Sequence, residues 1–120
     1  MPFSITGNSR GLAATIRQSV ELKCGALQHT ITDQSLRGCL HTRCESATIQ
    51  CEDCKQSTLL GYNNAFWFFG WHKSTTVNLC VNNLRRANIG DVVMHEWAHS
   101  CCWSHGDGHG VPGNDGSLPF

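Results

Sequence analysis

Apolar positions recur at helical spacing in two stretches of this chain and alternate with polar ones in a third. Leu12, Ala13, Ile16 and Val20 share one face of a helix that Ser9 can cap and that runs to about Lys23. Thr75-Thr-Val-Asn-Leu-Cys-Val81 alternates, which predicts a half-buried strand with Val77, Leu79 and Val81 on its inner face. Asn82-Asn83 breaks that pattern. Asn88 then offers an N-cap, Asp91 places a carboxylate in the first turn, and Ile89, Val92, Val93 and Trp97 carry a helix over residues 88–102. The aromatic run from Ala65 to Trp71 reads as a core or edge strand of a small sheet, in preference to an aromatic binding platform. Residues 24–57 hold five cysteines among many polar side chains and read as loops and short turns stapled together. Residues 103–120 contain Gly106, Gly108, Gly110, Pro112, Gly113 and Gly116, so a glycine-rich loop without regular structure is expected there. The pattern predicts one α+β domain over residues 1–120, with a helix packed on a small sheet.

With 120 residues the chain suffices for one domain, of a size that usually benefits from covalent or metal staples. Nine basic and nine acidic side chains cancel. Only Arg85 and Arg86 are adjacent among the basic residues, so no footprint for nucleic acid or an anionic membrane forms. No apolar run approaches bilayer length, and the first residues lack the basic start and apolar stretch of a signal peptide. A mature or excised domain, or export by a route that leaves no such mark, is expected. Eight cysteines, an even number, favour disulfides and a secreted, extracellular or periplasmic setting. The rival reading is a second zinc on Cys39, Cys44, Cys51 and Cys54, of which Cys51-Glu-Asp-Cys54 has knuckle spacing.

The chemistry lies in His95-Glu-Trp-Ala-His99, an HExxH sequence inside the second helix. Residues four apart stand one turn apart on one face, so both imidazoles reach one metal ion. Glu96 follows the first histidine and is placed to take a proton from a water that zinc has acidified. His105, ten positions after His95, is the third candidate ligand. A continuous helix would carry it about 15 Å further along the axis, so the chain must stop after His99 and turn back. Glycine suits the left-handed conformation of such a turn, whereas this chain has Cys102, with Gly106 near enough to take over the reversal. A disulfide at Cys101 or Cys102 would help to hold it. His109 is the alternative third ligand or a transition-state donor, and Asp107 is a candidate to orient an imidazole. Asn114 and Asp115 read as turn residues, and His29, His41 and His72 have no ligand spacing.

His95, Glu96, His99 and His105 resemble the zinc-binding pattern of the metzincin clan of metallopeptidases. The likeness spans roughly residues 75–110 and extends to small secreted zincins and metallopeptidase toxin domains of bacterial delivery proteins. It implies a zincin-like fold, one catalytic Zn2+ per chain and a peptide or protein substrate that pairs with an edge strand, for which Val77, Leu79 and Val81 are the candidates. The chain departs from the clan in having no methionine after Met94 and no tyrosine after Tyr62. Two other readings use the same residues: a zinc amidase acting on cell-wall peptide, and a disulfide-rich binding domain with a structural zinc. Glu96 speaks against the last, because a structural site needs no carboxylate there.

Overall fold

Apolar alternation, read across four short segments, builds a mixed sheet. The computed structural model describes residues 3–66 and 72–114. Its strands are β1 (Ser4–Gly7), β2 (Thr48–Glu52), β3 (Gly61–Phe66) and β4 (His72–Cys80), in the order β1-β2-β4-β3. β1, β2 and β4 run parallel, and β3 closes the sheet antiparallel to β4. Ile49 pairs with Val77 and Cys51 with Leu79, and all four are buried on one face. Gln50 and Asn78 pair on the other face. The α+β class and the small sheet are as the sequence predicts. Val81, buried with Val77 and Leu79, lies just beyond β4. Of the aromatic run, Ala65 and Phe66 end the edge strand β3, while residues 67–71 lie outside the described residues.

Among the described residues the sheet is accompanied by the helices α1 (Ala13–Gly25), α2 (Leu27–Thr30), α3 (Gln34–Ser46) and α4 (Ile89–Ser100). Helix α4 packs on β4 and β3 and also against α1 and α3. It is accordingly buried from Ile89 to Ala98 except at Asp91. Two glycines permit this enclosure. A Cβ on Gly90 would stand 2.9 Å from the Ser19 carbonyl oxygen of α1, and one on Gly61 would stand 2.7 Å from Val92 Cγ1 of α4. Trp97, fully buried, meets the Phe3 ring edge-on at 5.7 Å and so ties α4 to the start of the chain. Among the described residues no helix is long and apolar enough to cross a membrane.

Several sequence-based expectations are corrected here. Residues 24–57 are not mainly loops, since they contain α2, α3 and β2. The Asp33 side chain accepts from Leu36 N–H and caps α3, and Leu36, Leu40 and Cys44 are its buried face. Ser9 does not cap α1. Arg10 and Gly11 both take positive φ (53° and 78°), so the helix starts at Ala13, and it is the Ser9 carbonyl that accepts from Leu12 N–H. Asn88 sits at the N-cap position of α4 without a side-chain cap, after a 3-10 turn over Arg86–Asn88, and the helix ends at Ser100.

Six cysteines pair as Cys24–Cys44, Cys39–Cys101 and Cys54–Cys80. Each bond restricts the unfolded chain by about 3 to 4 kcal/mol, a large sum for a small core. This pairing overturns the second zinc on Cys39, Cys44, Cys51 and Cys54, because three of those sulfurs are bonded elsewhere. Cys51 is a free buried thiol, pushed up in pKa by that burial, and Cys102 is a free exposed one. Three disulfides point to an oxidising compartment.

Candidate metal centre

Helical spacing sets His95 and His99 side by side, and the chain beyond α4 delivers the third imidazole. The helix ends at Ser100, Cys101 caps it, and Cys102 takes φ 67° where glycine would be unstrained. The Trp103 N–H then returns to the Ala98 carbonyl. This reversal brings His105 Nε2 to 3.0 Å from His95 Nε2, which is itself 3.1 Å from His99 Nε2. One nitrogen from each ring lies within 4.8 Å of the others. His95 is buried, His99 half-buried and His105 exposed, so the cluster opens to solvent on the His105 side.

The other ring nitrogens of His95 and His99 meet backbone carbonyls. His95 Nδ1 donates to the Pro112 carbonyl at 2.6 Å, and His99 Nδ1 donates to the Trp103 carbonyl at 3.0 Å. A carbonyl only accepts, so Nδ1 of His95 and of His99 carries a proton, and Nε2 of each ring faces the cluster. Burial holds the His95 pKa down to about 4, against the Pro112 bond that raises it, and the facing His99 and His105 lower it further. Nitrogens bound tetrahedrally to zinc at about 2.0–2.1 Å stand about 3.3 Å apart, close to the observed spacings. Three histidines here can hold a metal ion, with carbonyls in the orienting role that metal-bound imidazoles require.

Glu96, next to His95, is 5 % exposed. Its backbone carbonyl accepts from Asn63 Nδ2 of β3 at 3.2 Å, and its Cγ would lie 3.8 Å from a Cβ on Gly61. The edge strand and the helix are thus fastened together at this residue. Trp103 forms a wall, its ring centroid 5.2 Å from those of His95 and His99 and 5.8 Å from that of His105. Trp103, Pro112 and Asn63 were missed by the sequence reading. Only Trp103, lying between two ligands, offered a signal.

The accessory candidates fall elsewhere. Asp107 does not orient an imidazole: its carboxylate accepts from Ser104 N–H at 2.8 Å and closes a turn, and carbonyls do the orienting. His109 is exposed at φ 63° and is not part of the three-histidine cluster, which removes it as the third ligand. It lines a cavity of about 130 Å³ with Asp33, Cys102 and Trp103 among others. Asn114 is a turn residue as expected, its side-chain oxygen accepting from Gly108 N–H, and Asp115 lies outside the described residues. His29 and His41 are exposed and away from the cluster. Tyr62 points to the sheet face opposite α4 and donates to Glu52, a bond that, with burial, pushes its pKa up to about 12. Val77, Leu79 and Val81 do not form a substrate edge. β4 is an inner strand bonded to β2 and β3, and the Val81 N–H is taken by the Glu52 carbonyl.

The His95 shift predicts how the metal-free protein responds to acid. Its folded pKa, about 4, lies below the ordinary value of 6.5, so the unfolded chain binds the extra proton first. Stability is then fully present above about pH 6.5 and is lost as the pH falls toward 4, by about 3 kcal/mol. Urea unfolding of chelator-treated protein across that interval is expected to show the fall, and a flat profile would assign His95 a normal pKa.

Fold and site together define a small disulfide-linked α+β domain with three clustered histidines that can hold a metal ion. Comparison with family models, with curated proteins and with solved structures finds no match for this chain.

Proposed function

We propose that this chain is a zinc-dependent peptidase of zincin-like build, with His95, His99 and His105 holding zinc and Glu96 acting as the base. The observation that carries the reading is the convergence of three imidazole Nε2 atoms, two of them from α4, with the buried Glu96 following His95 on that helix. A buried carboxylate is costly to keep, and a merely structural zinc gives no reason to keep one. Three imidazoles are also the donor set of a catalytic zinc, whereas structural sites use four protein ligands.

Zinc, when bound, supplies Lewis acidity toward a carbonyl and lowers the pKa of water. Glu96 takes the proton of the attacking water and returns it to the leaving amine. The Pro112 and Trp103 carbonyls accept from Nδ1 of His95 and His99 and so orient Nε2 of each ring toward the metal position. An extended substrate pairs with β3, the edge strand packed against α4, in place of the inner β4. Main-chain bonding of this kind gives affinity with little sequence preference.

The test is incubation of the zinc-loaded protein with a peptide library and with cell-wall stem peptides, new termini being read by mass spectrometry. Cleavage of the library that stops on chelation and returns with zinc is the expected result. Cleavage of stem peptides alone would make the enzyme an amidase, and cleavage of neither would leave a binding domain.

A further inference from the structure

The turn that delivers His105 is not self-supporting. Cys102 occupies a left-handed conformation that its Cβ disfavours, and such a residue persists only where its surroundings fix it. Two residues one turn apart on α3 do the fixing. Cys39 is bonded to Cys101, and Arg43 donates through Nε to Ser100 Oγ at 2.9 Å and through a terminal nitrogen to the Ser100 carbonyl at 3.3 Å. Immediately downstream, Trp103 supplies the carbonyl that orients His99 and the ring that walls all three imidazoles. The metal cluster therefore hangs from a strained turn whose only covalent anchor to α3 is Cys39–Cys101.

This bond is also the one partly exposed at both ends. Cys39 and Cys101 are both partly exposed, whereas Cys44 and Cys80 bury one end of each of the other two disulfides, at 5 % and 0 % exposure. Cys101 and the free thiol of Cys102 line the same open cavity beside Trp103.

We propose that the Cys39–Cys101 disulfide is a redox control on the metal centre, an inference that rests on the three histidines holding zinc. Oxidised, it keeps the turn in place and the imidazoles converged. A dithiol reductant attacks one sulfur to form a mixed disulfide, and its second thiol then displaces the protein. Cys39 and Cys101 are left as thiols and the reductant as a cyclic disulfide. The turn relaxes, the Trp103 carbonyl and His105 leave the cluster, and zinc is released. The protein is thereby competent in an oxidising compartment and silenced in a reducing one.

Zinc affinity, measured by competition with a chromogenic chelator, tests this. The oxidised wild type is expected to take zinc, the Cys39→Ser/Cys101→Ser double variant to bind it at least about tenfold more weakly, and the Cys54→Ser/Cys80→Ser variant to bind it as the wild type does. Circular dichroism checks that the helices persist. If the first variant does not fold, the wild type is titrated with a phosphine reductant under native conditions while bond opening is mapped by mass spectrometry. Zinc is then expected to leave as Cys39–Cys101 opens, ahead of the other two bonds. Equal affinity in the double variant, or zinc retained after that bond alone has opened, overturns the control. An oxidised wild type that takes no zinc overturns the metal reading itself, which separates the two failures.

Discussion

The Glu96→Gln variant is expected to retain its zinc and to hydrolyse peptides about two to four orders of magnitude more slowly than the wild type. The substitution preserves shape at a position that is 5 % exposed, where a change of volume would disturb the packing of α4 on β3. It leaves the three imidazoles and the two carbonyls that orient them unaltered. It replaces a carboxylate, which accepts a proton, with an amide, which does not. Metal content by elemental analysis and kcat/KM on a peptide substrate, taken on the same preparation, separate binding from chemistry. Undiminished hydrolysis would move the base to another residue. Loss of zinc together with activity would make Glu96 a structural support of the cluster.

His105→Ala is expected to lose zinc, with affinity falling more than about a hundredfold, because deletion of a group that only orients a ligand already costs about 10- to 100-fold. His109→Ala is expected to bind zinc as the wild type does. Both side chains are exposed, both lie in the turn-rich segment after α4, and neither is part of the hydrophobic core. What distinguishes them is position: His105 Nε2 is 3.0 Å from His95 Nε2, and His109 is outside the cluster. Competition with a chelator on both variants reads the difference directly. The reverse outcome would transfer the third ligand to His109.

These two predictions draw on different depths of sequence information. The pairing of His95 with His99 is legible because helix geometry alone places residues i and i+4 on one face. His105 was legible at one remove, from its spacing and from the need for a reversal after His99. Cys102 carries that reversal at φ 67°, although glycine is the residue the turn would favour. Helix α3 was not read, although Asp33, Leu36, Leu40 and Cys44 carry its cap and its buried face. Its low overall hydrophobicity and its cysteines looked like stapled loop. The hydrogen bonds that orient the imidazoles were beyond reach, because every residue has a carbonyl and none is marked by its side chain as the one that His95 or His99 will meet.

The sequence by itself determined the local matters: the α4 helix, the β4 strand, the α+β class and the spacing of the three histidines along the chain. Each follows from periodicity or turn chemistry within a dozen residues. Only the tertiary structure decided that β4 is an inner strand and β3 the edge, that Cys39 meets Cys101 across 62 residues, and that the Pro112 carbonyl receives the His95 proton. Those choices depend on which apolar faces can be buried together. That is a property of the whole chain, since α4 is enclosed by β3, β4, α1 and α3 at once and no single segment of sequence encodes its neighbours.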